Sequence, residues 1–343
     1  MTARLVVDLD RFAANLRLIR ERVAPARHML VVKNDAYGHG LEAIVRRARA
    51  EGVSWFGAFD AATGARVRAV TGPEARIFVW ILASDDDIRT ALAADLDLGV
   101  GDMSLLEDVA RLSATTFPRV HLKIDTGLHR NGVRPDEWPD AVARAAELQN
   151  AGRLAVEGVW SHIAEASDAE DDASRMLFLD ARRTLARAGL TPRFSHLAAS
   201  AAGFAREEFR EDLVRIGAFA YGIRPAGGAS EEELGLEPIA RLEADVIAVD
   251  GTRAQVGIGA LDGIPTPIGG LVSAGTPAGP RRIVAVESTR TVIEGWDGMT
   301  PGDVVTLWGA AAPHSATDVA ERLATIGEEI AVRISPMVAR KYV

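Results

Sequence analysis

The feature that most constrains this chain is the order of its apolar patterning. Through the first two-thirds, short apolar runs alternate with amphipathic stretches. Leu5–Leu9 is apolar enough for a strand, and Phe12, Leu16, Ile19 and Val23 then recur at helical spacing. His28–Val32 reads as the next strand and Leu41–Ala50 as the next helix. Trp55–Phe59, Arg76–Leu82, Leu96–Val100, Arg119–Ile124, Leu154–His162, Arg193–His196 and Leu213–Phe219 continue the series. About eight or nine such units in a row point to a parallel sheet, and a closed (β/α)8 TIM barrel is the economical way to bury it. An open doubly wound sheet is the alternative, but no Gly-x-Gly-x-x-Gly turn follows the first strand.

At 343 residues the chain exceeds the roughly 250 that a barrel absorbs. Its texture changes at Ser230–Leu236, an acidic Gly/Ser/Glu stretch that reads as a linker. Beyond it, Leu242–Val249, Ala254–Ile258, Arg282–Val286, Arg290–Glu294 and Val304–Trp308 read as strands, with one helical candidate, Ala316–Ile326. The expected architecture is an α/β barrel over residues 1–230 followed by a smaller, mostly β domain over 231–343. A net charge of −9 argues against nucleic acid or an anionic membrane as partner. There is no cysteine, which excludes disulfides, thiol nucleophiles and thiolate metal sites. The N-terminus lacks the apolar stretch of a signal peptide, and no run approaches the ~18 apolar residues of a membrane span. The expected location is the cytoplasm.

In a barrel, functional side chains collect at the C-terminal ends of the strands. Lys33, Asp125, His162, His196 with Ser200, and Arg215 all fall at such positions. Lys33 follows Leu30-Val31-Val32 and precedes Asn34-Asp35-Ala36-Tyr37-Gly38-His39-Gly40, the build of a ligand-facing loop. Burial favours the neutral amine of a lysine, which can form an imine with an aldehyde. The two histidines also read as ordinary barrel packing, whereas Arg215 directly after Leu213-Val214 is hard to account for as core.

The segment Val31–Gly40 resembles the cofactor-lysine signature of the alanine racemase family, with Asn34 where alanine is commoner. Three further segments resemble the family in the same order. These are Leu122–Gly127 with Arg130-Asn131-Gly132, Trp160–Ala164, and Asp212–Gly217 with Tyr221-Gly222. The resemblance implies a pyridoxal 5'-phosphate enzyme in which Lys33 holds the cofactor as an internal aldimine and abstracts the α-proton of an amino acid. It implies that Arg215 hydrogen-bonds the pyridine nitrogen, with Tyr221 in the segment that supports the ring. Tyr37, Ser200 and the amides of Gly217 and Ala218 would cradle the phosphate, His162 would stack or hydrogen-bond around the ring, and Arg130 would place the substrate carboxylate. Lys123 matches a position carbamylated in some relatives. No metal is implied; a head-to-tail homodimer with the active site near the subunit interface is.

The resemblance fails at one catalytic position. The family's second base is a tyrosine in a Gly-Tyr-x-Asp-Gly segment supplied by the partner subunit, and the matching segment here is Gly259-Ala260-Leu261-Asp262-Gly263. The chain's three tyrosines are Tyr37, Tyr221 and Tyr342, so none lies between 222 and 341. The Met-Asp pair that lines the family's pocket falls near Ser288-Thr289, and a late tyrosine falls at Glu328, where a carboxylate opposes a phosphate. Three functions remain open. One is racemisation with a water, Asp262 or His314 as substitute base. Another is one-base chemistry at Lys33, such as aldol cleavage, elimination or decarboxylation. The third is non-catalytic binding of the cofactor.

Overall fold

The apolar runs pair as the alternation requires, with one exception at the start of the chain. In the computed structural model, which describes residues 2–113, 117–165 and 167–343, β1 is Ala3–Val7. It is followed by β2 (Arg27–Val31), β3 (Trp55–Asp60), β4 (Arg76–Ile81) and β5 (Asp97–Val100). Next come β6 (Arg119–Lys123), β7 (Ala155–Trp160), β8 (Phe194–His196) and β9 (Leu213–Ile216). Strands β2 to β9 form a parallel sheet in the order β8-β7-β6-β5-β4-β3-β2-β9. The amides of Asp212 and Arg215 donate to the carbonyls of Ser195 at 3.1 Å and Ala198 at 3.2 Å, which closes the ring between β9 and β8. This is the expected (β/α)8 barrel.

The barrel strands are apolar on both faces because helices cover one and the barrel interior the other. Met29, Trp55, Phe78, Trp160, Phe194 and Leu213 form a buried cluster. Its rings meet edge to face, Trp55 on Phe194 at 4.9 Å and Phe78 on Trp160 at 5.1 Å. Polar groups enter this interior as well: Asp97, His121 and His196 are fully buried. The helices start where side-chain caps allow. Asp60, Ser84, Asp102 and Ser167 each accept a backbone N–H from the first turn, worth about 1 kcal/mol apiece.

The chain divides into two compact units. One comprises Ile19–Lys33 and Ala48–Gly217 and carries the barrel sheet. The other comprises the segment to Leu18, Asn34–Arg47 and Ala218–Val343. Its strands are β1, β10 (Ala240–Asp250), β11 (Arg253–Val256), β12 (Ser273–Thr276), β13 (Gly279–Val286), β14 (Thr291–Glu294), β15 (Val304–Gly309) and β16 (Ala339–Tyr342). They pair in the order β11-β14-β13-β12-β15-β10-β1-β16. The structural division is therefore discontinuous along the chain, whereas the expected one is a single cut after residue 230.

Three local expectations change. Leu5–Leu9 does not open the barrel: β1 pairs antiparallel with β10 and parallel with β16. Leu5-Val6-Val7 is an apolar run that suits any buried strand, and nothing local names its partners. The register is pinned instead by Arg4, which pairs with Glu243 at 2.7 Å and Asp245 at 2.9 Å across the strands. The expected linker contains a helical turn, Glu231–Leu234, closed by a Ser230–Glu233 capping box and by Gly235 at φ 72. Ala316–Ile326 is not one helix but Ala316–Arg322 followed by a second helix, Gly327–Val332, with Ala324 at φ 54 between them.

Candidate active site

Buried β2 and Val32 deliver Lys33 to the C-terminal end of the barrel. The next residues do something sequence patterning did not anticipate. Asn34, Asp35 and Ala36 have φ/ψ of 53/52, 54/48 and 55/53, and Tyr37 has φ 55, so the chain makes a left-handed turn without glycine. Each such residue costs about 1–2 kcal/mol, so the turn persists only because its surroundings fix it. The Gly38 amide donates to Asn34 O at 2.8 Å, Gly40 to Asp35 O at 3.0 Å, and Leu41 to Asp35 Oδ1 at 3.1 Å. Burial lowers His39 to about 4 and keeps it neutral; its Nδ1 lies 3.0 Å from Ala36 O, a bond in which it must donate.

Tyr37 is packed in an aromatic cluster centred on Tyr221, which meets the rings of Tyr37 at 4.8 Å, His39 at 5.0 Å and Phe12 at 5.9 Å. Burial pushes both phenols up, so they stay protonated donors at neutral pH. At Tyr37 the charge of Glu328 pushes in the same direction.

The deepest group of the barrel site is Arg215 on β9. Its NH1 donates to His196 Nδ1 at 3.0 Å. Its NH2 reaches Ser161 O at 2.8 Å, Leu197 O at 2.9 Å and His162 Nδ1 at 3.1 Å. Among the described residues no acceptor meets its Nε. Burial lowers the guanidinium to about 9, which leaves it charged at neutral pH. Lys123, at the end of β6, lies over the Trp160 ring at 4.5 Å. Burial, Arg215 and Arg130 together lower its ammonium to about 8. His162 is lowered to about 3 by burial first, then by the charges of Arg215, Arg130, Lys123 and Lys33. A neutral imidazole thus sits within the fields of four cations, and among the described residues no carboxylate pairs with Arg130. Ser200 accepts the Gly217 amide at 3.2 Å, which leaves its hydroxyl proton to donate elsewhere. Asp125 is committed locally, accepting from the Gly127 and His129 amides at 3.1 and 3.0 Å. The whole set suits an anionic ligand that also offers an aldehyde to a lysine.

Comparison with known proteins decides the lineage. Residues 7–225 match the family model described as alanine racemase, N-terminal domain. The chain belongs to the alanine racemase family. Among curated relatives, the alanine racemase of Beutenbergia cavernae is 37% identical over 380 residues, covering 99% of this chain and 98% of the relative. That of Thermobifida fusca is 35% identical over 365 residues, covering 98% and 96%. Among solved structures, alanine racemase from D-cycloserine-producing Streptomyces lavendulae superposes with a TM-score of 0.95 at 31% identity, over 100% of this chain and 97% of that one. Membership places the chain among pyridoxal-phosphate-dependent, isomerase-like enzymes.

The Gly259–Gly263 segment, where the sequence places Ala260, is tightly built. Ala260–Asp262 is a single 3-10 turn, and Asp262 Oδ2 accepts the Gly259 amide at 2.9 Å. Neither flanking glycine is replaceable: a Cβ on Gly259 would lie 2.5 Å from Arg290 N, and one on Gly263 2.1 Å from Arg333 O. The Leu261 amide donates to Ser288 O at 2.9 Å, so Ser288 lies beside this turn. Leu261 itself is 75% exposed. The turn is fixed by its two glycines, and residue 260 carries only a methyl group.

Sequence reasoning missed several contributors. His39, which ties the left-handed turn, carries no signal in the sequence beyond its place in the motif. His121 is hidden in the apolar run Val120-His121-Leu122, and Asp97 reads as an ordinary strand residue. Glu165, whose carboxyl is raised by burial, contributes the negative charge nearest in effect to Arg215. A cavity of about 400 Å³, lined by Val159, Leu179, Leu190, Pro192, Ser195 and Asp212, contains none of the site residues.

Proposed function

We propose that this chain is a pyridoxal-phosphate-dependent amino-acid enzyme of racemase type, in which Lys33 holds the cofactor and moves the substrate α-proton. One observation carries the reading: Arg215, charged and fixed by four protein acceptors, stands with neutral His162 in a site whose cations include Lys33. When bound, pyridoxal phosphate supplies an electron sink that acidifies the α-proton of an amino acid attached through its nitrogen. Arg215 donates to the ring nitrogen and, because a guanidinium keeps its protons, leaves that nitrogen unprotonated. His162 stacks or hydrogen-bonds along the ring edge. Tyr37, Ser200 and the amides of Gly217 and Ala218 donate to the phosphate, with Tyr221 packed behind Tyr37. Arg130 orients the substrate carboxylate. Lys123, lowered to about 8, gives up its proton more readily than an ordinary lysine, as carbamylation by carbon dioxide requires, and the resulting anion would hold Arg130 in place. Cofactor holding falls to residues 1–230, the second face of the substrate to residues 231–343 of a partner copy, in a cytoplasmic homodimer.

A second reading, one-base chemistry at Lys33, is favoured by Ala260 in its intact glycine frame. α-Deuterium exchange from D- and L-alanine on the loaded protein separates the two. Comparable loss from both enantiomers supports racemisation with a substitute base. Loss from one alone supports the one-base reading. Loss from neither, with cofactor bound, makes the chain a binding protein or one that acts on a larger amino acid.

A further inference from the structure

Behind Arg215, the barrel interior holds a line of polar groups that the proposed chemistry does not use. His196 Nδ1 faces Arg215 NH1 at 3.0 Å, and His196 Nε2 faces His121 Nδ1 at 2.8 Å. His121 Nε2 in turn faces Asp97 Oδ1 at 3.5 Å, and all three residues are fully buried. Asp97 is anchored at its far side, taking Arg76 Nε on Oδ2 at 2.9 Å and Arg119 Nε on Oδ1 at 3.3 Å.

Hydrogen-bond chemistry leaves this line a single direction. A guanidinium can only donate, so His196 Nδ1 accepts and its proton is on Nε2. That proton points at His121 Nδ1, which must therefore accept, leaving the His121 proton on Nε2. It faces a carboxylate, which can only accept. The order of donation is Arg215 to His196 to His121. The remaining His121 Nε2–H is turned towards Asp97 at 3.5 Å, an electrostatic contact too long and misaligned to be a hydrogen bond. Burial holds His196 well below the ordinary imidazole range, so it stays neutral. For Asp97 burial favours the acid, but the hydrogen bonds from Arg76, with His121 nearby, outweigh it and keep the group a carboxylate.

We propose that Asp97, His121 and His196 are positioning residues that lock the plane of Arg215, so that its unused N–H groups face the ring nitrogen of the cofactor. The proposal deepens the reading above and rests on it. Without Asp97 or His121, His196 can take the other tautomer, and its Nδ1–H would then confront the Arg215 donor. Arg215 would swing, and the ring nitrogen would lose its partner and gain a proton.

The test has two parts. Protein without cofactor, labelled with ring-15N histidine, should show bare Nδ1 and protonated Nε2 at His121 and His196 across neutral pH; each resonance is assigned by its loss in a His→Phe variant. Protonation of Nδ1 at either residue overturns the proposal. Protein loaded with ring-15N pyridoxal phosphate should then show the cofactor nitrogen moving towards the pyridinium range in His121→Phe and Asp97→Val. Asp97→Asn, whose amide oxygen can still accept, should restore the wild-type shift. If Asp97→Val does not fold, His121→Phe decides, because it leaves the Asp97–Arg76 pair intact. An unmoved cofactor nitrogen in His121→Phe overturns the proposal. Should the wild type take up no cofactor, the proposed function fails, while the histidine tautomers still decide whether the line positions Arg215.

Discussion

The Arg215 cluster and the Gly259–Gly263 turn differ in what their tight packing presents. At Arg215 every buried polar neighbour is in place: two histidines, two carbonyls and, behind them, a carboxylate at the end of the line. At Gly259–Gly263 the backbone is equally constrained, by glycines packed against Arg290 and Arg333, yet the side chain it presents is a methyl group. Backbone frames and reactive groups are thus separable. The contrast sets a site rich in hydrogen-bonding side chains against a turn that offers none of comparable reactivity at residue 260.

Four experiments sharpen or break that contrast, in order of expected effect. Lys33→Ala should lower α-proton exchange by at least about 1,000-fold, the scale of a lost acid–base group, as read by deuterium loss from alanine. Retained exchange would remove Lys33 from the centre of the account. Ala260→Tyr should increase interconversion of D- and L-alanine by about 100-fold, since it places a proton-transfer group on a rigid turn. No gain, in a variant with unchanged melting, would mean that the turn no longer faces a substrate.

Lys123→Met should stabilise the protein in CO2-free buffer at neutral pH by up to about 3 kcal/mol, from the lowering of 10.5 to about 8. The sign follows from the protons bound. Below pH 8 the folded state carries a buried charge, and from 8 to 10.5 it sheds that proton while the unfolded chain keeps it. Wild-type stability therefore rises through this window and the advantage of the variant fades, which urea melts at stepped pH will show. Glu328→Gln should tighten cofactor binding several-fold, because removing the charge that raises Tyr37 relieves repulsion on a nearby phosphate. Equilibrium titration measures it, and unchanged affinity would separate Glu328 from the phosphate.

Much of the barrel was legible because parallel strands carry continuous apolar runs and their ends collect chemistry. Lys33, His162, Ser200 and Arg215 stand out from their position at strand ends, and Lys123 only through the family resemblance. What stayed hidden has a common cause: partners distant in sequence. Leu5-Val6-Val7 is indistinguishable from a barrel strand until β10 and β16 are seen to flank it. Asp97 and His121 lie inside ordinary strand patterns and acquire meaning only when the closed barrel sets them in line with His196. The left-handed turn at Asn34–Tyr37 is only half signalled by propensity: Asn34 and Asp35 tolerate that region, but Ala36 and Tyr37 do not.

The most direct test of the central claim uses an accident of composition: the chain has only three lysines, Lys33, Lys123 and Lys341. Protein loaded with pyridoxal phosphate is reduced with borohydride, digested, and the modified peptide is identified by mass. The account predicts one adduct per chain, on Lys33. An adduct on Lys123 or Lys341 alone, or no adduct from protein that remains folded, would contradict it.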